Sequence, residues 1–341
     1  MQPLKNSKTS SSTETWSRIS DSAVHSNSIE SLCIQYTDLR FKNQISRYQG
    51  KVRDVYDIGD RLVMIATDRI SAFDCVLPRP IPSKGQVLNQ IAHHFLEAVR
   101  DICPVWLLET PDPNVSIGLK CSPIPIEIVV RGYLAGHAWR CYKSGLGSLC
   151  GVSMPDGMKE SQAFQVPLIT PTTKASEGHD QDVSREEILG MGLIPEKDLD
   201  TIYQYAHSLY QRGSEMARDH GLILVDTKYE FGYYEGQIML MDEVHTPDSS
   251  RYYLADSYED NLNNNRAQTQ LSKEFVREWL IAHGFQGLEG QMMPHMSDSF
   301  VWEISNRYIE LYERITGKEF ENFALPDIMT RLKENLRSYL D

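Results

Sequence analysis

Apolar and polar residues alternate in short runs over much of the first half of the chain. The runs "KVRDVYDI", "RLVMIATD" and "IEIVVRGYL" are rich in valine, isoleucine and tyrosine and are separated by turn residues. This composition predicts a mostly antiparallel sheet. Between the second and third runs, Val87, Ile91, Phe95 and Val99 recur at helical spacing in "KGQVLNQIAHHFLEAVRDI". Their spacing predicts an amphipathic helix that crosses over the sheet.

A long amphipathic helix is predicted near the middle of the chain. Ser184 and Glu187 form the S-x-x-E signature of a helix start, in which each residue satisfies a backbone N–H of the first turn. Apolar residues then follow one helix face from Leu199 to Ala217, and Gly221 can end that helix. The aromatic and methionine residues on this face are therefore expected to belong to the core.

The rest of the second half contains shorter helical patterns and one irregular segment. Three further helices are predicted at about residues 271–283, 297–316 and 325–338. The polar segment 151–182 has no strong periodicity. Loops of this length in a globular protein usually carry function, so we expect a substrate loop there.

Composition places the chain among ordinary globular enzymes. It has 341 residues, of which 24% are charged, a net charge of -13 and a pI near 5.3. This acidic balance argues against nucleic-acid and anionic-membrane partners, and no apolar run is long enough for a membrane helix or a secretory signal. The six cysteines show no C-x-x-C spacing. We therefore expect reduced thiols and a cytoplasmic protein.

Serine and threonine crowd the first 33 residues, which contain few periodic apolar positions. Such a composition does not repay the entropy of ordering the chain, so residues 1–33 are predicted to form a flexible extension. An organelle transit peptide is the alternative, but Glu14, Asp21 and Glu30 depart from its acid-poor pattern.

Charged residues alternate with others in the first strand of a predicted β-hairpin. Asp226, Lys228 and Glu230 are two positions apart and therefore leave the same face of the strand. A three-residue turn at residues 234–236 would set Asp242 opposite Lys228 on that face. A turn of two or four residues would direct Asp242 away.

In the first of these registers, two carboxylates and an ammonium group converge. That much charge suits a hard divalent cation beside phosphate groups, so Glu230 and Asp242 are candidate ligands of Mg²⁺. The alternative is an ordinary hairpin with a solvated charged face. The apolar run 238–241 before Asp242 indicates a buried strand that ends at a cleft, where charge is usually functional.

Two further positions can bind phosphate. In "GKVRDVYD", Gly50 allows a phosphate to approach the backbone and Lys51 offers it a positive charge. An ordinary turn is the alternative, because the stretch matches neither common glycine-rich nucleotide motif. Arg131 stands at the polar end of an apolar strand, where it can bind a phosphate or carboxylate in two-pronged fashion or pair with a nearby acid.

Eight motifs between about Leu39 and Phe320 follow the order found in one enzyme family. They are "GKVRDVYD", "ATDRISAFD", "IPSKGQVLNQ", "IEIVVRGYLAGHAW", "TPTTKASEGHD", "LVDTKYEFG", "MDEVHTPDSSRYY" and "ADSYE". In these motifs the chain resembles the phosphoribosylaminoimidazole-succinocarboxamide synthases, or SAICAR synthetases. The resemblance implies an ATP-dependent ligase of de novo purine biosynthesis. Its substrates would be carboxyaminoimidazole ribonucleotide, L-aspartate and ATP, and its products SAICAR, ADP and phosphate.

The resemblance also implies a fold of the α+β class. A small antiparallel-sheet lobe at residues 34–125 would resemble the nucleotide-binding lobe of kinases. A larger α/β domain with the C-terminal helices, residues 126–341, would bind substrate and Mg²⁺. ATP would lie in the cleft between the two, and a homo-oligomer is compatible with the sequence.

Site roles follow from the resemblance at matching positions. The implied catalytic residues are Lys228, Lys174 and Asp180, with Asp180 or His179 as the general base. The implied ATP-binding residues are Gly50, Lys51, Arg53 and Glu127. The implied substrate-binding residues are Arg131, His137, Asp226, Arg251, Ser71 and Asp74, and the implied Mg²⁺ ligands are Glu230 and Asp242.

One position departs from the family pattern. Many members have serine after "RGYLAG", where this chain has His137. An imidazole can donate one hydrogen bond when neutral and adds a positive charge when protonated. Substrate affinity is therefore expected to depend on pH.

Two other classes of function use the same groups. A small-molecule or lipid kinase would need Lys51, Glu230 and Asp242 for phosphoryl transfer. A non-catalytic nucleotide-binding regulator would have no chemical need for all of these together with Lys228. Dependence on aspartate separates the ligase from both alternatives.

Overall fold

The fold combines antiparallel sheets with helices packed against them. The structure is a computed structural model that describes residues 28–174, 181–323 and 327–341. The strands are β1 (Ser46–Gln49), β2 (Arg53–Asp57), β3 (Arg61–Ala66), β4 (Ser71–Ala72), β5 (Cys75–Val76), β6 (Leu107–Asp112), β7 (Val115–Leu119), β8 (Ser122–Tyr133), β9 (Ser148–Leu149), β10 (Val152–Ser153), β11 (Ala163–Ile169), β12 (Thr172–Thr173), β13 (Leu222–Tyr234), β14 (Gln237–Met241) and β15 (Ser250–Leu254). The α-helices are α1 (Lys84–Ala98), α2 (Gly136–Lys143), α3 (Arg185–Gly190), α4 (Glu196–Asp219), α5 (Ala255–Asn263), α6 (Glu274–Ala282), α7 (Asp298–Thr316) and α8 (Ile328–Asn335). The expected α+β class is confirmed.

The small sheet is built from the first half of the chain. Its strands pair antiparallel in the order β1-β2-β3-β7-β6. Alternate residues on one face, including Tyr56, Val63 and Ile65, are fully buried, as expected for a sheet with one covered face. Leu332 of α8 and Leu336, which follows that helix, belong to the same apolar cluster. The end of the chain therefore packs on the small sheet.

The large sheet carries most of the charged positions predicted from sequence. Its main path is β11-β8-β13-β14, with β12 paired to β8 and β15 paired to β13. The central strand β13 is 13 residues long, and α4 packs across it with Leu199, Ile202 and Ala206 buried. The predicted apolar helix face is therefore a core face. β8 starts at Ser122, so the two sheets divide a few residues before the predicted domain boundary at residue 125.

A backbone contact joins the two sheets beside the hairpin. Val105 forms an isolated parallel bridge with Leu240 of β14. The N–H of Trp106 donates to the carbonyl of Leu240 over 2.9 Å. Because Trp106 immediately precedes β6, this contact fixes an edge strand of the small sheet beside β14.

Several predicted elements are confirmed with small changes in their bounds. α1 covers the predicted crossover helix. Ser184 and Glu187 form a complete capping box at the start of α3. Gly317, with φ of 66°, ends α7 in the left-handed conformation that glycine tolerates. Two helices, α2 and α5, were not predicted, because each is too short to show a clear period.

The prediction of one continuous loop at residues 151–182 was wrong in part. Strands β10, β11 and β12 lie within it. β11 pairs with β8, but the register shifts between Ala163 and Leu168. Such an irregularity interrupts the alternation that identifies a strand in sequence. Residues 175–180, which include His179 and Asp180, lie outside the described residues.

The predicted three-residue hairpin turn was also wrong. Tyr234 pairs with Gln237, so the loop consists of two residues, Glu235 and Gly236. Their φ values are 50° and 79°, as in the two-residue turns that match strand twist. Asp242 is consequently not paired with Lys228, because the ladder ends where Glu230 pairs with Met241.

The beginning of the described chain is packed on the core. Residues Ile29–Leu32 form a 3₁₀-helix, and Ile29 joins the main apolar cluster. Glu30 pairs with Arg79 over 3.1 Å. Of the predicted 1–33 extension, residues 28–33 are therefore part of the fold, and residues 1–27 lie outside the described residues.

The structure can be compared with two expectations about the chain as a whole, one on the cysteines and one on membrane helices. The six cysteines are all free, in agreement with the predicted reduced thiols. In the described part of the chain, no helix has both the length and the apolar character needed to cross a membrane.

Two helical glycines provide a test of the packing. A Cβ on Gly85 in α1 would lie 2.3 Å from the carbonyl oxygen of Ala66, whereas one on Gly190 in α3 would have no atom within 4 Å. We expect Gly85→Ala to destabilise the protein by about 1–3 kcal/mol. Gly190→Ala should be neutral or stabilising by up to ~1 kcal/mol, because alanine favours helix.

The midpoint of urea-induced unfolding is measured for both variants, and we expect a lower midpoint for Gly85→Ala than for Gly190→Ala. Equal midpoints for Gly85→Ala and Gly190→Ala would contradict the close approach of α1 to β3.

Candidate active site

Strand pairing collects charged side chains on one face of the large sheet. In β13, Asp226, Lys228 and Glu230 leave the same face. β8 runs antiparallel to β13, so that Asp226 pairs with Arg131 and Glu230 with Glu127. Directly paired residues point to the same side of a sheet. The predicted convergence of charge on this face is therefore present.

At one end of this face is a group that we call the lysine–glutamate cluster, consisting of Glu127, Lys174, Lys228 and Glu230. The Nζ of Lys228 donates to Glu127 Oε1 over 2.6 Å and to Glu230 Oε1 over 2.5 Å. Lys174, just beyond β12, pairs with the other oxygen of Glu230. The four residues alternate in sign; the two glutamates are largely buried, whereas the side chains of Lys228 and Lys174 are 31% and 45% exposed.

The electrostatics of this cluster follow from burial and ion pairing. Burial acts to raise the pKa of Glu230, but Lys228 and Lys174 outweigh it and lower the pKa to about 2. Burial acts to lower the pKa of Lys228, yet Glu230 and Glu127 raise it above its ordinary value. Glu230 and Lys228 are therefore both charged at neutral pH.

Asp242 reaches the same site although the hairpin register would direct it elsewhere. The ladder ends at Met241, and Asp242 has φ of 56°, so the backbone turns at this residue. Its carbonyl accepts a hydrogen bond from Trp106 Nε1 over 2.9 Å. Burial, together with Glu230 and Glu243, raises the pKa of Asp242 against the opposing charge of Arg53.

Arg53 connects the small sheet to this turn. Its Nη1 lies 2.7 Å from Asp242 Oδ1, and its Nη2 lies 2.7 Å from Glu243 Oε2. The guanidinium group is well suited to such a two-pronged contact. Arg53, predicted as an ATP-binding residue, therefore lies directly against a predicted metal ligand.

A cavity of about 430 Å³ lies between the two sheets. One end of its wall is apolar, with side chains from both sheets. These apolar residues are Val52, Val55, Leu62, Met64, Trp106, Leu119, Pro123 and Met241. The other end carries Gly50, Lys51, Arg53, Lys174, Glu230 and Asp242. An apolar slot that continues into a charged end fits a molecule with a flat ring and an anionic tail.

The glycine loop before β2 is held near this charged end. The N–H of Gly50 donates to the carbonyl of Arg53 over 2.8 Å. Lys51 pairs with Asp74 over 2.5 Å, and about half of each side chain is exposed. Asp74 and Ser71 belong to the short hairpin of β4 and β5, outside the cavity wall. Of these two predicted substrate-binding residues, Asp74 therefore contacts Lys51, whereas Ser71 does not line the cavity.

At the other end of the sheet face, three paired residues form what we call the arginine pocket: Arg131, Asp226 and Arg251. Asp226 pairs with Arg131 in β8 and with Arg251 in β15. Its Oδ2 lies 3.6 Å from Arg131 Nη1 and 2.5 Å from Arg251 Nη1. Burial lowers the pKa of Arg131. Asp226 therefore contacts both guanidinium groups, and Glu274 Oε2 lies 3.1 Å from Arg251 Nη2.

The first residues of α2 lie against this pocket. A Cβ on Gly136, which has φ of 53°, would be 2.3 Å from Arg251 Nη2, so a larger residue would strain the backbone and displace the guanidinium group. His137 follows, and its Nε2 lies 2.7 Å from Asp182 Oδ2. His137 therefore stands next to the arginine pocket but is paired with an acid.

Two acids after β14 have partners that the sequence did not assign. One is Glu243, the second partner of Arg53. The other is Asp248, which accepts from Lys84 Nζ over 2.9 Å and from the hydroxyl of Tyr308 over 2.6 Å. The acidic run "MDEVHTPD" marks both positions. Their partners are distant in sequence, so no local pattern could reveal the pairs.

Comparison with known proteins gives a consistent result. A family described as SAICAR synthetase matches residues 46–291. The phosphoribosylaminoimidazole-succinocarboxamide synthase of Bacteroides thetaiotaomicron is 55% identical over 306 residues, which cover 89% of this chain and 98% of that protein. A solved SAICAR synthase of Saccharomyces cerevisiae, complexed with SAICAR, is 32% identical with a TM-score of 0.69, and covers 82% of this chain and 96% of that one. A SAICAR synthetase solved in complex with ADP shares the fold at 24% identity and a TM-score of 0.63, over 81% of this chain and 100% of that one.

The fold, the charged cleft and these similarities define the class of the protein, a ligase that forms a carbon–nitrogen bond. The chain belongs to the SAICAR synthetase family. The kinase alternative finds no support in these similarities.

The lowered pKa of Glu230 gives a test of the lysine–glutamate cluster. This pKa is about 2, against an ordinary value of 4.5. Ionised Glu230 thus stabilises the folded state above pH 4.5, and this contribution is lost as the pH falls toward 2. We expect Glu230→Gln to lower the free energy of unfolding by about 3 kcal/mol or more at neutral pH, because two lysines lose their shared partner.

The difference in the free energy of unfolding between wild type and Glu230→Gln should become smaller as the pH falls below 4.5. Urea unfolding at several pH values measures it, with Glu235→Gln in the exposed hairpin turn as the matched control. A difference that is independent of pH would contradict the assignment.

Proposed function

We propose that this chain joins L-aspartate to the carboxylate of carboxyaminoimidazole ribonucleotide, and that the reaction takes place where the two sheets meet. It consumes ATP and yields SAICAR, ADP and phosphate. The observation that carries the proposal is the convergence of Arg53, Lys174, Lys228, Glu230 and Asp242 beside an apolar cavity. Family membership supports the reaction type.

ATP is assigned to the cavity between the sheets. The apolar end suits the adenine ring, and the charged end suits the phosphates. Gly50 and Lys51 line that end, and Lys51 can exchange its half-exposed partner Asp74 for a phosphate. Glu127 pairs with Lys228, so its proposed part in ATP binding is to hold that lysine in place.

Glu230 and Asp242 fit a divalent cation. Glu230 is buried and the side chain of Asp242 is 23% exposed, and both line one cavity. Carboxylate oxygens are the ligands that Mg²⁺ prefers. Burial and neighbouring carboxylates raise the pKa of Asp242. A bound cation would offset both effects and favour the ionised carboxylate. When bound, Mg²⁺ would neutralise negative charge on the phosphates.

The ribonucleotide phosphate is assigned to the arginine pocket. Arg131 and Arg251 are both buried; Asp226 contacts both of them, and Glu274 also contacts Arg251. A phosphate matches the forked geometry of the two guanidinium groups. Because both arginines extend from the sheet face that carries Lys228, the reacting carboxylate would lie between the pocket and the lysine–glutamate cluster.

Side chains of this protein can lower the activation barrier at two steps of the reaction, the phosphoryl transfer and the attack by the amine. A carboxylate is a poor acylating agent because oxide is a poor leaving group. ATP must therefore first phosphorylate the carboxylate of the ribonucleotide, which gives an acyl phosphate. Lys228 and Lys174 would stabilise the negative charge that develops as the phosphoryl group moves. The amine of aspartate then attacks the activated carbon and expels phosphate. Asp180 or His179, outside the described residues, is proposed to take the amine's proton.

An omission assay with Asp242→Asn tests the proposal. Purified protein receives ATP, Mg²⁺, the ribonucleotide and aspartate, with one component left out at a time. We expect phosphate release and amide formation only in the complete mixture, and a loss of kcat/KM on the order of 100-fold or more in Asp242→Asn. Asp219→Asn, at the exposed end of α4, should behave as wild type.

Two results would count against this account. A stable phosphorylated product without aspartate would indicate a kinase. Full activity of Asp242→Asn would remove the metal assignment while leaving the ligase reaction intact.

His137 gives a second test of the substrate assignment. His137 stands next to the arginine pocket, and its imidazole N–H can donate a hydrogen bond to a phosphate. We therefore expect His137→Ser to raise KM for the ribonucleotide. Equal KM values for the two proteins would show that His137 does not contact the phosphate.

A further inference from the structure

A group of three side chains beside the arginine pocket has the composition of a transition-metal site. His137 and Cys141 lie four residues apart on α2, and Asp182 lies on the neighbouring segment after β12. One ligand atom from each lies within 4.8 Å of the other two. No other such group of three or more histidine, cysteine or acidic residues occurs in the described parts of the chain.

We propose that His137, Cys141 and Asp182 form a binding site for Zn²⁺ or a cation of similar softness. This site is distinct from the proposed Mg²⁺ site, because it contains a thiol and an imidazole. Mg²⁺ takes oxygen ligands, whereas Zn²⁺ binds nitrogen, sulfur and oxygen. The inference does not depend on the proposed reaction.

The distances within the group are close to those that Zn²⁺ requires. Cys141 Sγ lies 3.6 Å from His137 Nε2. For a tetrahedral ion with ordinary zinc–nitrogen and zinc–sulfur bonds, the two ligand atoms stand roughly 3.6 Å apart. His137 Nε2 and Asp182 Oδ2 are 2.7 Å apart and share a hydrogen bond. To bind one ion together, these two atoms would have to move apart by less than about 1 Å, and the ion would replace their hydrogen bond.

The backbone holds these ligands in place before any ion binds. His137 and Cys141 share one face of α2, since residues four apart are neighbours on a helix. Asp182 forms a β-bridge with Thr172, and the N–H of Val183 donates to the carbonyl of Pro171 over 3.1 Å. The side chains of His137 and Asp182 are 42% and 34% exposed, so an ion can reach them from solvent.

Binding would displace a proton from the thiol. Burial raises the pKa of Cys141, and Asp182 adds to this effect, while Arg131 and Arg140 oppose it. The thiol therefore carries its proton at neutral pH. When the sulfur–metal bond forms, the S–H bond breaks and one proton passes to solvent.

An occupied site would join α2 to the end of β12. Gly136 of α2 lies against Arg251, and Lys174 follows β12 directly. The ion would therefore fix two segments that flank the proposed substrate site, with three protein ligands and one position left for water or another ligand.

Titration with Co²⁺, a spectroscopic substitute for Zn²⁺, tests the proposal directly. The full-length protein is titrated without substrates and with excess Mg²⁺, which occupies oxygen-only sites. We expect one Co²⁺ per chain, a sulfur-to-cobalt charge-transfer band, and displacement of Co²⁺ by Zn²⁺. Cys141→Ser should abolish the band and weaken Zn²⁺ binding by at least ~10-fold.

Cys150→Ser is the matched control. Cys150 is also partly buried and its thiol donates to the carbonyl of Pro171 over 3.3 Å, but it is not one of the three proposed ligands. We expect it to keep the band and the affinity of wild type. Both variants should show wild-type circular dichroism and ligase activity in the absence of Zn²⁺. Loss of the band in Cys150→Ser with retention in Cys141→Ser, or a wild-type protein that shows no thiolate band, would overturn the proposal.

Discussion

The structure depends on ion pairing between neighbouring strands of the large sheet. An unpaired buried charge is costly, and a buried pair is tolerated only when its partner is close and well oriented. The register of β8, β13 and β15 meets this condition, since it places Asp226 between Arg131 and Arg251. Further along β13, Lys228 contacts both Glu127 and Glu230. The same register therefore stabilises the sheet and prepares two charged sites.

The position of Asp242 depends on a local backbone conformation. The hairpin ladder alone would direct its side chain away from Glu230. The left-handed conformation at Asp242 ends the strand and returns the carboxylate to the cavity, and the hydrogen bond from Trp106 holds the turn. Arg53 then spans from the small sheet to the same residue. A cleft between the two sheets results, with Arg53 on the small-sheet wall and Glu230, Asp242 and Lys228 on the large-sheet wall.

Features with a regular period were predictable from the sequence, whereas features that depend on a single backbone angle were not. The shared face of Asp226, Lys228 and Glu230 follows from strand alternation, and the helix start at Ser184 follows from its capping box. The hairpin turn was mispredicted because Glu235, not only Gly236, adopts positive φ, which is uncommon for glutamate. The pair of Lys84 with Asp248 joins residues distant in the chain, and such contacts leave no local signal.

The central claim is that Glu230 and Asp242 together bind the cation that accompanies ATP. The most direct measurement is a crystal structure of the protein with Mn²⁺ and a non-hydrolysable ATP analogue, with anomalous scattering used to locate the metal. The account predicts an anomalous peak in contact with both carboxylates and with the phosphates of the analogue. A peak that contacts neither carboxylate, with the nucleotide ordered, would contradict it.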